Sequence, residues 1–147
     1  MTIEPRIRKY VDRLLDEWKS HGKIIISVDY DDTLSHWKLN NEDDITRTVK
    51  VIKEATLTGA YIVIFTACDH ARYPEIKNYC TEMGLLIDSI NQNPIELPYG
   101  KEQGSKIYYN INLCDRSGLT QALDILEAAM YKYRGYLQNK KPAIEVG

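Results

Sequence analysis

The stretch Ile24-Ile25-Ile26-Ser27-Val28-Asp29-Tyr30-Asp31-Asp32-Thr33-Leu34 decides the fold of this chain. It runs from a short apolar segment rich in β-branched residues directly into a cluster of carboxylates. Such a segment is typical of a strand buried on both faces of a parallel sheet. In open α/β sheets ligands bind at the carboxyl ends of the strands, so we expect Asp29, Asp31 and Thr33 to project into a crevice. Neighbouring acids repel one another unless a cation or phosphate chemistry uses them, and a plain acidic turn is the alternative interpretation.

Length and composition indicate one globular domain over residues 1–147. The chain is 44% hydrophobic and 27% charged, and no apolar run approaches the roughly 20 residues that span a bilayer. The first six residues lack an apolar signal region, so we expect a cytoplasmic protein. A net charge of -2 provides no global attraction to nucleic acid or to an anionic membrane. Three cysteines without a Cys-x-x-Cys pair indicate reduced thiols.

Apolar periodicity and turn residues predict helices and strands that alternate along the chain, which favours a three-layer α/β domain. The predicted elements are a helix over about 5–20, a strand at 24–28, a helix from about 41 to 59, a strand at 60–66, a helix at about 71–83, a strand at 85–88, a strand at 106–113 and a helix from 119 to about 137. We expect the core to lie within about 23–138. Residues 89–105 are predicted to be a loop and 139–147 a loosely held tail, in which 143–146 are a candidate edge strand.

The pattern Asp29-x-Asp31-x-Thr33 after an apolar strand resembles the first motif of the haloacid dehalogenase (HAD) superfamily of phosphotransferases. Thr66, a lysine and the acidic turn at Asp115 follow in the family's order, over roughly residues 23–119. The resemblance implies a Rossmann-like parallel sheet with strand order 3-2-1-4 and helices on both faces. The segments after the first and second motifs are too short for a large cap, so the small capless type is expected.

The resemblance also implies a Mg²⁺-dependent phosphatase, a phosphoric monoester hydrolase. Asp29 is then the nucleophile that forms a transient aspartyl-phosphate, a role that suits a carboxylate because its acyl phosphate is labile. Asp31 is the general acid and base, and its backbone carbonyl helps to hold the metal. The hydroxyl of Thr33 orients Asp31. Thr66 binds the transferred phosphoryl oxygens through its hydroxyl and the next backbone N–H.

The phosphate lysine and the metal site complete the expected constellation. Lys106, just before the fourth strand, is the preferred lysine, and Lys101 is the alternative. Asp115 holds Mg²⁺ together with Asp29 and Asp31. The commonest family pattern has two adjacent acids at this turn, whereas Cys114 occupies the first position here. A thiol is a poor Mg²⁺ ligand, so either Asp115 alone carries the metal at this turn or the site is weakened.

Several interpretations stay open at this point. The substrate is a phosphorylated small molecule or a nucleic-acid end, so a nucleotidase or a 3′-phosphatase is an alternative function. A non-catalytic phosphate- or nucleotide-binding module is the alternative from another class. We expect Asp32 to be a solvated or capping residue. Trp37, after the first motif, is an aromatic residue that would stack on a substrate ring if it is exposed.

Overall fold

The structure is a computed structural model that describes residues 3–93 and 108–140. It is an α/β fold with a parallel four-stranded sheet and helices packed around it. The described elements are α1 (Arg8–His21), β1 (Ile24–Val28), α2 (Glu42–Gly59), β2 (Ala60–Ile64), α3 (Tyr73–Glu82), β3 (Ser89–Ile90), β4 (Ile111–Leu113) and α4 (Leu119–Lys140). Short 3₁₀ turns at Pro5–Ile7 and His70–Arg72 precede α1 and α3. No described helix is long and apolar enough to cross a membrane.

The sheet has the strand order β3-β2-β1-β4, so the predicted order 3-2-1-4 and the all-parallel arrangement are confirmed. β1 is buried along its whole length and pairs with a strand on each side. Its register runs from Ile24 opposite Ala60 on β2, and from Ile26 opposite Ile111 on β4. A central strand of a parallel sheet is covered on both faces, which explains why β1 is apolar at nearly every position.

Helix α4 packs against both α1 and α2 beside the sheet. The indole of Trp18 on α1 stacks on Tyr133 of α4, with ring centroids 5.1 Å apart. Arg47 on α2 bonds Asp124 and Glu127 of α4 at 2.7 and 2.6 Å. Spacing along α1 predicts that Tyr10 lies on the apolar face with Ile7, Leu14 and Trp18, but it is 37% exposed and lies beside the cations of Lys9 and Arg13. An amphipathic side chain at the edge of an apolar face keeps its polar end in water, and periodicity does not resolve such edges.

A glycine sets the close approach of two turns at the far end of the sheet. Gly59 ends α2 with φ at 118°, and a Cβ there would lie 2.8 Å from the carbonyl oxygen of Gly22. Both the backbone angle and the contact require glycine. The predicted end of α2 at Gly59 is therefore confirmed, and it places β2 directly beside β1.

The third strand differs from its prediction. Residues 85–88 are not a strand, and pairing with β2 begins only at Ser89. The Asp88 carboxylate accepts the backbone N–H of Ile62 at 2.7 Å, so a side chain takes the position in the ladder that a strand carbonyl would otherwise fill. Leu86 is 72% exposed, so its side chain does not contribute to the core. The last helix also continues beyond its predicted end, to Lys140. The predicted edge strand at 143–146 lies outside the described residues.

Candidate active site

The carboxyl ends of three neighbouring strands meet at one cleft of about 620 Å³. Hydrogen bonds extend the sheet just past the strand ends, from the N–H of Asp29 to the carbonyl of Leu113 at 2.9 Å and from the N–H of Phe65 to that of Val28 at 2.8 Å. The residues that follow β1, β2 and β4 are therefore held side by side. The cleft is lined by Asp29, Asp31, Asp32, Trp37, Lys38, Leu39, Thr66, Ala67, Cys68, Arg72, Asp115 and Arg116. Four predicted site residues, Asp29, Asp31, Thr66 and Asp115, are among them.

Asp29 lies in the most acidic part of the cleft. The pKa of Asp29 is raised from 3.8 to about 6, chiefly by burial and next by a side-chain hydrogen bond with Asp115. The backbone N–H of Tyr30 lowers this pKa in part, whereas the charges of Asp115 and Asp31 raise it further. Carboxylates that face one another in a partly buried site disfavour the ionised form. The site therefore has excess negative charge that a cation would relieve.

This excess charge predicts a pH dependence of stability in the metal-free protein. The folded-state pKa of Asp29, about 6, lies above its ordinary value of 3.8, so the folded state binds the proton more tightly. Ionised Asp29 therefore destabilises the folded state, fully above pH 6, and this destabilisation is lost as the pH falls from about 6 towards 3.8. Asp29→Asn should raise the free energy of unfolding by about 1–2 kcal/mol at pH 7.5, after discounting for partial exposure. Urea unfolding of both proteins in EDTA at pH 7.5 and 5.0 measures the gain in stability of the variant. An equal gain at the two pH values would contradict the expected pH dependence.

Thr33 acts on Asp115 and not on Asp31, the partner expected from the sequence. Its hydroxyl donates to Oδ1 of Asp115 at 3.1 Å and accepts the backbone N–H of the same residue at 3.0 Å. Thr33 is fully buried and does not line the cleft, so the expectation that it projects into the crevice was wrong. Its two bonds instead tie the turn after β1 to the turn after β4. A residue's local spacing along the chain does not reveal such a partner, because β4 follows much later in the sequence.

Arg72, not Thr33, holds Asp31. Its two terminal nitrogens lie 3.2 Å from the two carboxylate oxygens of Asp31, which is a bidentate ion pair. This hydrogen bonding raises the pKa of Arg72 above its usual range. The guanidinium also lies 5.8 Å from the ring centroid of Tyr30 and 5.2 Å from that of Trp37. Arg72 was not predicted from the sequence. A cation just before the N-terminus of a helix is unfavourable because it opposes the helix dipole. Its position before α3 therefore indicates that it has another role.

Asp32 is neither solvated nor a helix cap. It is 6% exposed, and its carboxylate accepts the backbone N–H groups of Trp37, Lys38 and Leu39 at 2.9–3.1 Å. Burial acts to raise the pKa of Asp32, but these three backbone bonds outweigh it and the pKa is lowered. The residue has φ at 62°, a left-handed conformation that Asp tolerates better than most residues. Asp32 therefore caps backbone N–H groups of the loop that forms one wall of the cleft, and not those of a helix.

Thr66 is held at the cleft by Asn91, which follows β3. The side-chain oxygen of Asn91 accepts the N–H of Thr66 at 2.8 Å, and its amide donates to the Thr66 carbonyl at 2.7 Å. The Thr66 hydroxyl accepts the N–H of Cys68 at 3.3 Å. Cys68 lines the cleft, whereas His70 packs edge-on against the Tyr73 ring. Asn91 falls in the predicted loop at 89–105, and its φ of 54° is a left-handed conformation typical of a turn.

Asp29, Cys114 and Asp115 form a cluster whose candidate ligand atoms lie within 4.8 Å of one another. The Cys114 thiol donates to Oδ2 of Asp29 at 3.8 Å. Two of the three ligands are hard carboxylate oxygens, which suit Mg²⁺, and the soft sulfur does not. Lys106 and Lys101 lie outside the described residues. Among the described residues, the cations that line the cleft are Lys38, Arg72 and Arg116.

The cleft thus joins several acids, a threonine beyond the end of the neighbouring strand and an arginine paired with one acid. Comparisons with protein-family models, with curated proteins and with solved structures found no match to this chain.

Proposed function

We propose that this protein is a Mg²⁺-dependent phosphomonoester hydrolase of the HAD type that works through a transient aspartyl-phosphate on Asp29. The observation that carries the proposal is the meeting of Asp29, Thr66 and Asp115 in one cleft, from the ends of three adjacent parallel strands. These residues are far apart in the sequence. If the residues after β1 were only an acidic turn, there would be no reason for Thr66 and Asp115 to lie beside it.

The donor set fits Mg²⁺. The oxygens of Asp29 and Asp115 lie close enough to share one ion, and the raised pKa of Asp29 marks charge that an ion would neutralise. Mg²⁺ takes few protein ligands and fills its octahedron with water and phosphate oxygens, so the thiol of Cys114 need not bind. When bound, the ion would offset the charge on the phosphoryl oxygens and on the attacking carboxylate.

In the first half-reaction an Asp29 oxygen forms a bond to phosphorus while the bond from phosphorus to the leaving oxygen breaks. The leaving oxygen takes its proton from Asp31. In the second half-reaction Asp31 removes a proton from water, the water oxygen attacks phosphorus, and the acyl phosphate bond breaks to restore Asp29 and release inorganic phosphate. Arg72 aims Asp31 into the cleft through its two bonds, and it must give up one of them when Asp31 is protonated.

Steady-state assays with an aryl phosphate test the proposal directly. The purified chain should hydrolyse p-nitrophenyl phosphate with Mg²⁺ and lose turnover in EDTA. Acid quenching with ³²P-labelled acetyl phosphate should leave label on the protein that hydroxylamine removes, as expected for an acyl phosphate. Equal turnover in EDTA, or turnover without labelled protein, would overturn the mechanism.

Cys114 favours one second candidate, a phosphate-binding module without turnover, because a thiol stands where a second acid would strengthen the metal site. In that case phosphate compounds would raise the melting temperature, yet neither hydrolysis nor labelled protein would be detected.

The bonds from Thr33 to Asp115 predict a loss of metal affinity in Thr33→Val. Valine keeps the shape but leaves Asp115 without its two hydroxyl contacts, and loss of such an orienting partner weakens metal binding by about tenfold or more. Isothermal titration with Mg²⁺ measures the change. Thr33→Ser retains the hydroxyl and is the matched control, so an equal loss in both variants would count against an orienting role.

A further inference from the structure

The loop of Trp37, Lys38 and Leu39, called here the cleft wall, presents apolar side chains to solvent beside the acids. Trp37 is 58% exposed and Leu39 52% exposed, and all three residues line the cleft. A single exposed apolar residue is ordinary on a protein surface and requires no explanation. Here two of them and a lysine stand together at the mouth of a charged cleft, so their arrangement calls for a physical reason.

The backbone of the cleft wall is held in place and is not a loose excursion of the chain. One buried carboxylate, that of Asp32, accepts the N–H groups of all three residues. Asp32 adopts a left-handed backbone conformation to do so, which disfavours the fold unless the surroundings compensate. Leu34 lies just before the cleft wall, and its carbonyl accepts a hydrogen bond from the hydroxyl of Tyr79 at 2.6 Å. Interactions from the core therefore support a wall that keeps an indole exposed.

Trp37 is also coupled to the acids through Arg72. The Arg72 guanidinium lies beside the rings of both Tyr30 and Trp37 while it bonds Asp31. Tyr30 is 2% exposed, so the series of planar groups begins in the core and ends at the exposed indole. Arginine over an aromatic ring is a favourable contact, and a further planar group would extend the series.

We propose that the cleft wall and Arg72 form a subsite for a nucleobase, so that the phosphomonoester in the acidic cleft is carried by a nucleoside. This inference rests on the proposed function and names its substrate class. Stacking on an aromatic side chain is favourable for every base because every base has a π face. Lys38 and Arg116 line the same cleft, and they form no ion pair within the described parts of the chain. Their charges suit the phosphates of a nucleotide. A mononucleotide and a 3′-phosphorylated nucleic-acid end share this chemistry.

Substrate selectivity of the full chain with Mg²⁺ tests the proposal. The kcat/KM of nucleoside monophosphates or of a 3′-phosphorylated oligonucleotide should exceed that of ribose 5-phosphate, which lacks the base, by roughly tenfold or more. The better of the two nucleotide sources identifies the natural one. Trp37→Ala should remove most of this ratio, chiefly through KM, and Trp37→Phe should restore it. Tyr131→Ala, an exposed aromatic of α4 outside the cleft, is the matched control and should leave the ratio unchanged.

Binding gives a readout that does not require turnover. The chain has two tryptophans, and Trp18 is fully buried, so a nucleoside monophosphate should quench the fluorescence of Trp37 in the Asp29→Asn protein. Ribose 5-phosphate should not quench it, and Trp37→Phe should abolish the response. If the nucleotide quenched Trp37 but the wild-type protein hydrolysed no phosphomonoester, the nucleobase subsite would be supported and the proposed function would fail. Hydrolysis with equal kcat/KM for the nucleotides and ribose 5-phosphate, or a preference for a phosphotyrosine peptide, would overturn the nucleobase inference alone.

Discussion

Asp29→Asn is expected to lower kcat for p-nitrophenyl phosphate by about 10⁴-fold or more, because an amide cannot form the aspartyl-phosphate. The substitution keeps the size of the side chain and its place at the end of β1. The same variant is expected to be more stable than the wild type in EDTA at neutral pH, since it removes one of the carboxylates that face each other. Loss of activity together with a gain in stability separates a lost nucleophile from a misfolded protein.

Asp16→Asn is the matched control for this change. It makes the same substitution on α1, away from the cleft, and it should alter neither kcat nor the melting temperature measurably. If Asp29→Asn retained more than a tenth of the wild-type kcat, Asp29 would not be the nucleophile.

Asp115→Asn is expected to weaken Mg²⁺ binding by about 10²-fold and to lower kcat at fixed Mg²⁺ by a similar factor, because it removes one of the two hard ligands in the cluster. Titration of activity with Mg²⁺ should show that part of the loss is recovered at high concentration. A variant whose activity saturates at the wild-type concentration of Mg²⁺ would show that Asp115 does not hold the metal.

Cys114→Asp is the complementary change at the neighbouring position. It adds a hard oxygen where the thiol now lies 3.8 Å from Asp29, so Mg²⁺ should bind more tightly and turnover should persist. An unchanged dependence on Mg²⁺ would mean that this position does not reach the ion and is not a lost ligand.

Several parts of the site follow from local sequence alone. The apolar run before Asp29 predicted a strand that is buried on both faces, and the structure places it at the centre of the sheet. Asp29, Asp31 and Asp115 follow predicted strands and Thr66 ends one, and parallel strands end at the same edge. The structure brings these four residues into one cleft. The metal, the phosphate lysine and the reaction stay predictions.

The errors share a cause. Asp32, expected to be solvated, is buried under a loop that returns five to seven residues later. The hydroxyl of Thr33 bonds Asp115 after the neighbouring strand β4, and Arg72 reaches Asp31 from the turn before α3. The expected roles were inferred from immediate neighbours in the sequence. The partners of Thr33 and Arg72 lie far along the chain, and those of Asp32 lie beyond the reach of a local turn.

The sequence by itself determined most of the elements and the edge of the sheet where polar residues gather. The hydrophobic period and the conformation of glycine depend on only a few neighbouring residues. Apolar strands that must be buried side by side can be arranged in few strand orders. The tertiary structure alone decided which acid is paired with a guanidinium, which is tied to a threonine and which supports an exposed indole. Hydrogen bonds and ion pairs form only between groups a few ångströms apart, and those distances are set when all the strands and helices have packed.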